Sequence, residues 1–439
     1  DGSAPIRHPL AWNKEEFYDE KALDIEMRRV FDVCHGCRRC FNLCNSFPKL
    51  FDLIDNAPSG ELDSVPSSSF KGVVDDCTVC DLCFLTKCPY TPPHALNVDF
   101  PHLMLRYRAV EQAEGNKSAA ARLNPVPEGE DKVKMGASAG GMSMEGHGDP
   151  ARTAEGVGRA LVLKPPGWAE KQLNKTDRNG KVMGAVAPVA RWAMERSNPL
   201  TRPLMEAIAG IDKDAVLPLF VPPSQAFSAA SKPGGGGKGG PAEGKKVVLY
   251  ATCLVNYNMP AIGKAARAVL ERSGVDVVVS YPGCCGMPQL EQGDVAEVAG
   301  KAKEVSKELL KHVDEGRTVV SLTPSCSLML KGEWPLLLPC DEGVRRLAEN
   351  TQDISEYVVS LKSEGRLSLE GIAPIKGVKG VQLHHACHAR AQNQGCKSAE
   401  MLRIIPELTV TTVERCSGHG GSWGCKSKHH QTALKVGAP

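Results

Sequence analysis

Apolar and polar positions follow two rhythms along this chain, and the first is helical. Over 14–33 the apolar residues Phe17, Ala22, Leu23, Ile25, Met27, Val30 and Phe31 recur at about the spacing of one helix face, which predicts an amphipathic helix leading to Cys34. Over 94–110, Leu96, Val98, Phe100, Leu103, Met104 and Leu105 predict a second helix, and the partly polar stretch 45–76 predicts loops around helical segments. Residues 113–155 have little periodicity and the Gly, Ala, Ser and Met composition of a connector. Met135, Met142, Met144 and His147 within it imitate a soft-metal site, but a plain connector is the simpler reading. Residues 156–230 mix short apolar segments with proline, which predicts short helices laid over other domains.

Past the flexible run that opens Pro233-Gly-Gly-Gly-Gly-Lys the rhythm changes. Buried strands are expected at 246–253, 275–280, 318–322, 380–385 and 408–413, with helices at 262–273, 295–313, 344–361 and 400–405. Such alternation predicts a parallel, Rossmann-like sheet. Cys253, Cys284, Cys285, Cys326, Cys387 and Cys416 each fall just past a strand's carboxyl end, where open α/β sheets place their ligands. The expected fold is α+β and multidomain: a helical domain with two cysteine runs at 1–112, an extended or helical connector at 113–232, a Gly-rich linker at 233–244, and α/β repeats at 245–372 and 373–439, the second degenerate.

The cysteine runs change the picture most. Cys34, Cys37, Cys40 and Cys44 form C-x2-C-x2-C-x3-C, and Cys77, Cys80, Cys83 and Cys88 form C-x2-C-x2-C-x4-C-P. In two-cluster ferredoxins the fourth Cys of each run ligates the other cluster. The expectation is therefore one [4Fe–4S] cluster on Cys34, Cys37, Cys40 and Cys88, and a second on Cys77, Cys80, Cys83 and Cys44. A pair of zinc sites is the competing reading, but zinc usually takes separated C-x2-C pairs rather than triple runs. Arg38 and Arg39, inside the first run, are candidates to raise a potential or dock an acidic partner, and equally read as solvated charges. In the second half, Cys253, Cys284, Cys285 and Cys326 would converge on one crevice, with Met329 where a further thiolate would stand; free or structural cysteines are the plainer alternative. Cys387, Cys416 and Cys425 echo that set and, with His388 or His419, suggest a mixed zinc or mononuclear iron site. His384, His385, His429 and His430 crowd the same region, and ordinary polar histidines are the alternative. Cys340 and Cys396 stand outside every motif.

Five stretches carry a resemblance: Cys88-Pro-Tyr-Thr-Pro-Pro-His, Asp99-Phe-Pro-His-Leu-Met-Leu-Arg, Gly283-Cys-Cys-Gly-Met-Pro, Pro324-Ser-Cys-Ser-Leu-Met-Leu-Lys and His385-Ala-Cys-His. They resemble the CCG (cysteine-rich) module of heterodisulfide reductase-related iron–sulfur oxidoreductases, and most of all the iron–sulfur subunits of anaerobic glycerol-3-phosphate dehydrogenases. The resemblance implies a helical bis-[4Fe–4S] ferredoxin domain followed by a duplicated Rossmann-like CCG module. It also implies an electron-transfer subunit that relays electrons from a flavin-dependent dehydrogenase, of 2-hydroxy acid or glycerol-3-phosphate type, towards the quinone pool. A non-cubane cluster on Cys253, Cys284, Cys285 and Cys326 is a further implication. The chain departs from the family at Met329 and at Cys416-Ser417-Gly418, where the family has Cys.

Other readings remain beside this one. The CCG module could itself reduce a disulfide or persulfide, the partner could be a rubrerythrin-like diiron protein, or the chain could be a redox or iron sensor. A formal net charge of +2 gives no footprint for nucleic acid, and 17 cysteines in metal-ligand spacings suggest a reducing, cytoplasmic compartment. No run reaches the length of a membrane span. The resemblance implies that peripheral contact with the inner face of the cytoplasmic membrane is open, with 101–108 and 192–204 as candidate segments and internal packing an equally good reading of both.

Overall fold

The computed structural model describes residues 5–115, 158, 160–230 and 239–438. The Met135, Met142, Met144 and His147 cluster therefore lies outside the described residues, as do 116–157 of the expected connector and the start of the glycine linker.

The first helix starts and ends later than its apolar stripe suggests. A short 3-10 turn, Glu15–Tyr18, precedes α1 (Glu20–Cys37), whose start is set by Asp19: its carboxylate accepts from the Ala22 N–H at 2.6 Å. The helix does not stop before Cys34 but carries Cys34 and Cys37 on its last turns, ending at Arg38 in the left-handed region. The insert between the cysteine runs folds as α2 (Ser46–Asp55) and α3 (Phe70–Asp76) around irregular chain. The helix expected over 94–110 is α4 (Phe100–Gly115). Leu23, Met27, Phe31, Phe47, Phe51, Phe70, Met104 and Tyr107 form the wholly buried centre of this helical unit.

Four short helices, Trp168–Leu173, Thr176–Ala185, Ala187–Met194 and Thr201–Ala209, follow and lie over the α/β part. Next come β1 (Lys246–Tyr250), β2 (Asp276–Ser280), β3 (Thr318–Ser321) and β4 (Thr351–Asp353). They form one parallel sheet in the order β2-β1-β3-β4, with Tyr250 in register with both Ser280 and Ser321. β4 interrupts what the sequence reads as one helix over 344–361, splitting it into Glu342–Glu349 and Ile354–Ser363. The break falls where Asp353 caps the second piece with a complete capping box, so local hydrogen bonds favour a restart there.

The last part is smaller than a second full sheet. Among the described residues it holds two parallel strands, β5 (Gly380–His384) and β6 (Thr409–Val413), linked through the short helices Cys387–Arg390 and Lys397–Leu402. Where a second repeat is expected, the described residues form one β-α-β unit packed on a few apolar residues, Ala399, Leu408 and Val410.

The helical unit and the first sheet share one core: Leu10, Phe17, Leu105 and Ala109 pack with Tyr250, Leu290, Leu328 and Trp334. Arg7 ties the seam, its guanidinium donating to Asp81 at 2.8 Å, to Asp99 at 2.8 Å and to Glu333 at 3.1 Å. Residues 101–108 lie in α4 and are largely buried in this seam, so that candidate membrane segment is occupied by internal packing. Over 192–204 the outcome differs: Trp192, Leu200 and Leu204 are exposed. No described helix is long and apolar enough to cross a membrane.

Candidate functional site

The helical unit exchanges the last members of its cysteine runs. Cys34, Cys37 and Cys40 line one small cavity together with Cys88, walled by Phe47, Phe51 and Tyr90. Cys44 lies instead within the influence of Cys77 and Cys80, and Cys83 within that of Cys80, Cys77, Cys40 and Cys44. The loop that presents the second run is strained: Val79 stands at φ 49° and Asp81 at φ 62°. A β-branched residue there is a backbone outlier of the kind that gathers at functional sites. Backbone N–H groups in this loop and outside it point towards sulfur. Val79 N–H reaches Cys77 Sγ at 3.5 Å, Ser46 and Phe47 donate to Cys44, and Tyr90 and Thr91 donate to Cys88. Burial pushes the Cys34, Cys44 and Cys83 thiols well above their usual range, so a metal must displace protons to bind. Arg38 is engaged on the surface, donating to Asp55 at 2.9 Å.

Asp99 and His102, from one of the resembling stretches, hold the frame of this loop. His102 Nε2 meets Glu333 at 3.1 Å and Asp99 accepts from Arg7, which in turn braces Asp81 between Cys80 and Leu82. Sequence reasoning did not single out Arg7, Asp81 or Glu333. Their meeting spans 326 residues of chain, and no local pattern announces it.

The second thiol set lies where β1 and β3 end side by side, with β2 beyond β1 on one side and β4 beyond β3 on the other. Thr252 and Thr323 hydroxyls meet at 2.9 Å, and Thr252 stands at φ 43°, again a β-branched residue in the left-handed region next to a cysteine. Cys285 Sγ lies 3.2 Å from Cys326 Sγ, and Cys253 is within hydrogen-bonding reach of Cys284. All four predicted cysteines thus share one crevice. Gly286, at φ 88°, aims its N–H at Cys284 Sγ at 3.4 Å, and Trp334 donates to the Cys285 carbonyl at 3.0 Å. Met329 is wholly buried in the core around Cys285 and Cys326.

The third set does not gather as the sequence suggests. Cys387 lies within hydrogen-bonding reach of Cys80 of the helical unit, and Cys416 lies near both. Cys425, on the turn Trp423–Cys425, has Arg202 as its charged neighbour instead. His388 bonds the Val79 backbone near His419, His384 meets the Arg415 carbonyl at 2.8 Å, and His430 meets the Gly424 carbonyl at 2.9 Å. His429 stacks on Trp423, while neither ring nitrogen of His385 has a hydrogen-bond partner. Among the described residues no three His, Cys, Asp or Glu side chains close up in the manner of a single-ion site. A cubane is a cage and needs its thiols held farther apart than one ion does. Two all-thiol quartets with backbone donors to sulfur fit that kind of group in donor type.

The family of the cysteine-rich CCG domain matches residues 247–331, the segment from β1 through the Cys326 helix. A subunit of anaerobic glycerol-3-phosphate dehydrogenase from Escherichia coli K12 is 27% identical over 271 residues, 61% of this chain and 65% of that protein. The chain thus spans just under two thirds of that relative's length. Lactate utilization protein A from Bacillus velezensis is 30% identical over 192 residues, 41% of this chain and 75% of that protein. Its counterpart in Bacillus subtilis is 29% identical over 192 residues, with the same coverage. No solved structure matches the chain.

Proposed function

As the chain belongs to the family of lactate utilization protein A and bears a CCG cysteine-rich domain, we propose that it is an iron–sulfur electron-transfer subunit. It would relay electrons from a flavin-dependent dehydrogenase towards a quinone or another acceptor. The observation that carries this is the exchange of Cys44 and Cys88 between two neighbouring runs of thiols. That arrangement suits two [4Fe–4S] clusters, one held by Cys34, Cys37, Cys40 and Cys88, the other by Cys77, Cys80, Cys83 and Cys44. The crevice thiols Cys253, Cys284, Cys285 and Cys326 suit a third, non-cubane cluster.

Clusters held there supply one-electron acceptance to a two-electron donor such as a reduced flavin. The chain's own residues do the rest. Phe47 and Phe51 screen the first quartet from water, N–H groups aimed at sulfur favour the reduced state, and the Arg7 network fixes the loop of the second quartet. The glycerol-3-phosphate dehydrogenase and lactate utilization relatives support a dehydrogenase partner. The apolar side chains of Val189, Trp192, Leu200, Leu204 and Ile208, all exposed on neighbouring short helices, support peripheral contact with a membrane or a partner that carries the acceptor.

Iron and acid-labile sulfide on anaerobically purified protein, with EPR of the reduced state, test the reading. About eight irons per chain are expected from the two cubanes, and about twelve if the crevice holds a further four-iron cluster. Zinc in place of iron would overturn it. The paired thiols of the crevice also favour a second reading, reduction of a disulfide or persulfide in the manner of heterodisulfide reductase. Turnover of a disulfide with an artificial donor and no partner protein distinguishes the two.

A further inference from the structure

The CCG crevice is not completed by the CCG module. The segment that closes it comes from helix Thr176–Ala185, about seventy residues before β1 and outside the matched range. Thr176, the first residue of that helix, donates its hydroxyl to Cys284 Sγ at 3.2 Å. The same hydroxyl lies beside Cys253. Asp177 Oδ2 accepts from the Cys284 backbone N–H at 2.9 Å, and its other oxygen accepts from the Tyr281 hydroxyl. Lys301 stands 3.8 Å from the same carboxylate.

The segment is held where it is by several independent contacts. Asn174 donates to the Pro288 carbonyl at 2.9 Å and accepts at its own carbonyl from Gln289 at 2.7 Å, so the entry to the helix is strapped to the turn after Cys285. Gly180 lets the helix lie directly on the Tyr257 ring, and any side chain there would collide with it. Thr176 is therefore fixed against the sulfur from both sides of its own chain.

We infer that Thr176 is a positioning residue of the crevice, which tunes the potential of a cluster held by Cys253, Cys284, Cys285 and Cys326. This rests on the proposal above that the crevice holds such a cluster. The physical ground is general. A hydrogen bond to a ligand sulfur withdraws charge from it, stabilises the reduced state and raises the potential, and partners outside the ligand set orient ligands. A hydroxyl from another part of the chain adds a donor that the module's own Gly286 N–H does not replace.

The test compares T176V, T176A and T176S in the full chain, by redox titration followed by EPR, with iron counted in each and in Cys284→Ser. Thr176→Val keeps the shape and removes the donor. The expected result is unchanged iron content, a crevice signal with a more negative midpoint in T176V and T176A, a return towards the wild-type midpoint in T176S, and no shift in the two cubane signals. A crevice midpoint identical in wild type and T176V, with iron retained, would falsify the role of Thr176 while leaving the cluster in place. If Cys284→Ser loses no iron, the crevice holds no cluster and the inference falls with that premise.

Discussion

Arg7 and Glu333 meet at 3.1 Å across the seam between the helical unit and the sheet, with Glu333 buried and the Arg7 side chain 11% exposed. The same guanidinium neutralises Asp81 and Asp99, so one cation from the N-terminal arm serves three carboxylates. Removing it leaves buried charge without compensation. Arg7→Ala is therefore expected to destabilise the protein by roughly 3–5 kcal/mol. Denaturant titration of apo and iron-loaded protein measures this, and a loss under about 1 kcal/mol would show the network to be surface-like.

The same network sets a pH dependence. Burial opposes ionisation of Asp99, but the charges of Arg7 and His102 outweigh it and take the carboxyl from 3.8 to about 2. Glu333 likewise falls from 4.5 to about 2 against burial, through His102 and Arg7. Between those values the unfolded chain binds more protons than the folded one. The share of Asp99 and Glu333 is complete above the ordinary carboxyl range and is lost as pH falls from about 4.5 towards 2, whereas burial raises Asp81 to about 6, so its share runs the other way and is lost as pH rises from 3.8 through about 6. Stability measured against pH should drop across that window in wild type. It should drop less in Glu333→Gln, whose starting stability is lower.

The exchange of Cys44 and Cys88 predicts which variants behave alike. Cys88→Ser should perturb the same EPR signal as Cys37→Ser, and Cys44→Ser the same signal as Cys77→Ser. Pairing by sequence run, with Cys88 grouped with Cys77, would mean that the runs are not exchanged in the loaded protein.

Cys387 stands at Cys80 without belonging to either quartet proposed for the cubanes. Cys387→Ser should leave about eight irons in the helical unit and alter the line shape of the second-run signal alone. Loss of about four irons would make Cys387 a ligand and displace one of the four cysteines assigned here.

Gly293 lies against the backbone of Arg108 and Ala109 in α4 and has φ 81°. Arg108 itself donates to the Glu291 carbonyl at 2.7 Å and to the Val74 carbonyl at 2.6 Å. A methyl group at this position meets main chain on one side and an unfavourable dihedral on the other. Gly293→Ala should destabilise by more than about 1 kcal/mol, seen as a lower midpoint in thermal unfolding. A neutral result would show that the seam opens freely.

How much of this was legible in the chain follows from the range of each interaction. Cysteine spacing is local, so the two runs could be read directly, and so could the strands that end at Tyr250, Ser280 and Ser321, because each is written as a short continuous apolar run. The four crevice thiols followed from the rule that parallel strands share a carboxyl end. Other features were decided only in three dimensions. Cys387 went to Cys80 rather than to Cys425, because β5 and β6 make too small a unit to build a crevice of their own and pack against the helical part instead. Arg7 found Asp81, Asp99 and Glu333, and Thr176 found Cys284, over separations from 74 to 326 residues, through side chains with no periodic signature. Periodicity records which face of an element is buried. It does not record which element buries it, and that choice, made by the packing of the whole chain, placed the polar groups around every sulfur.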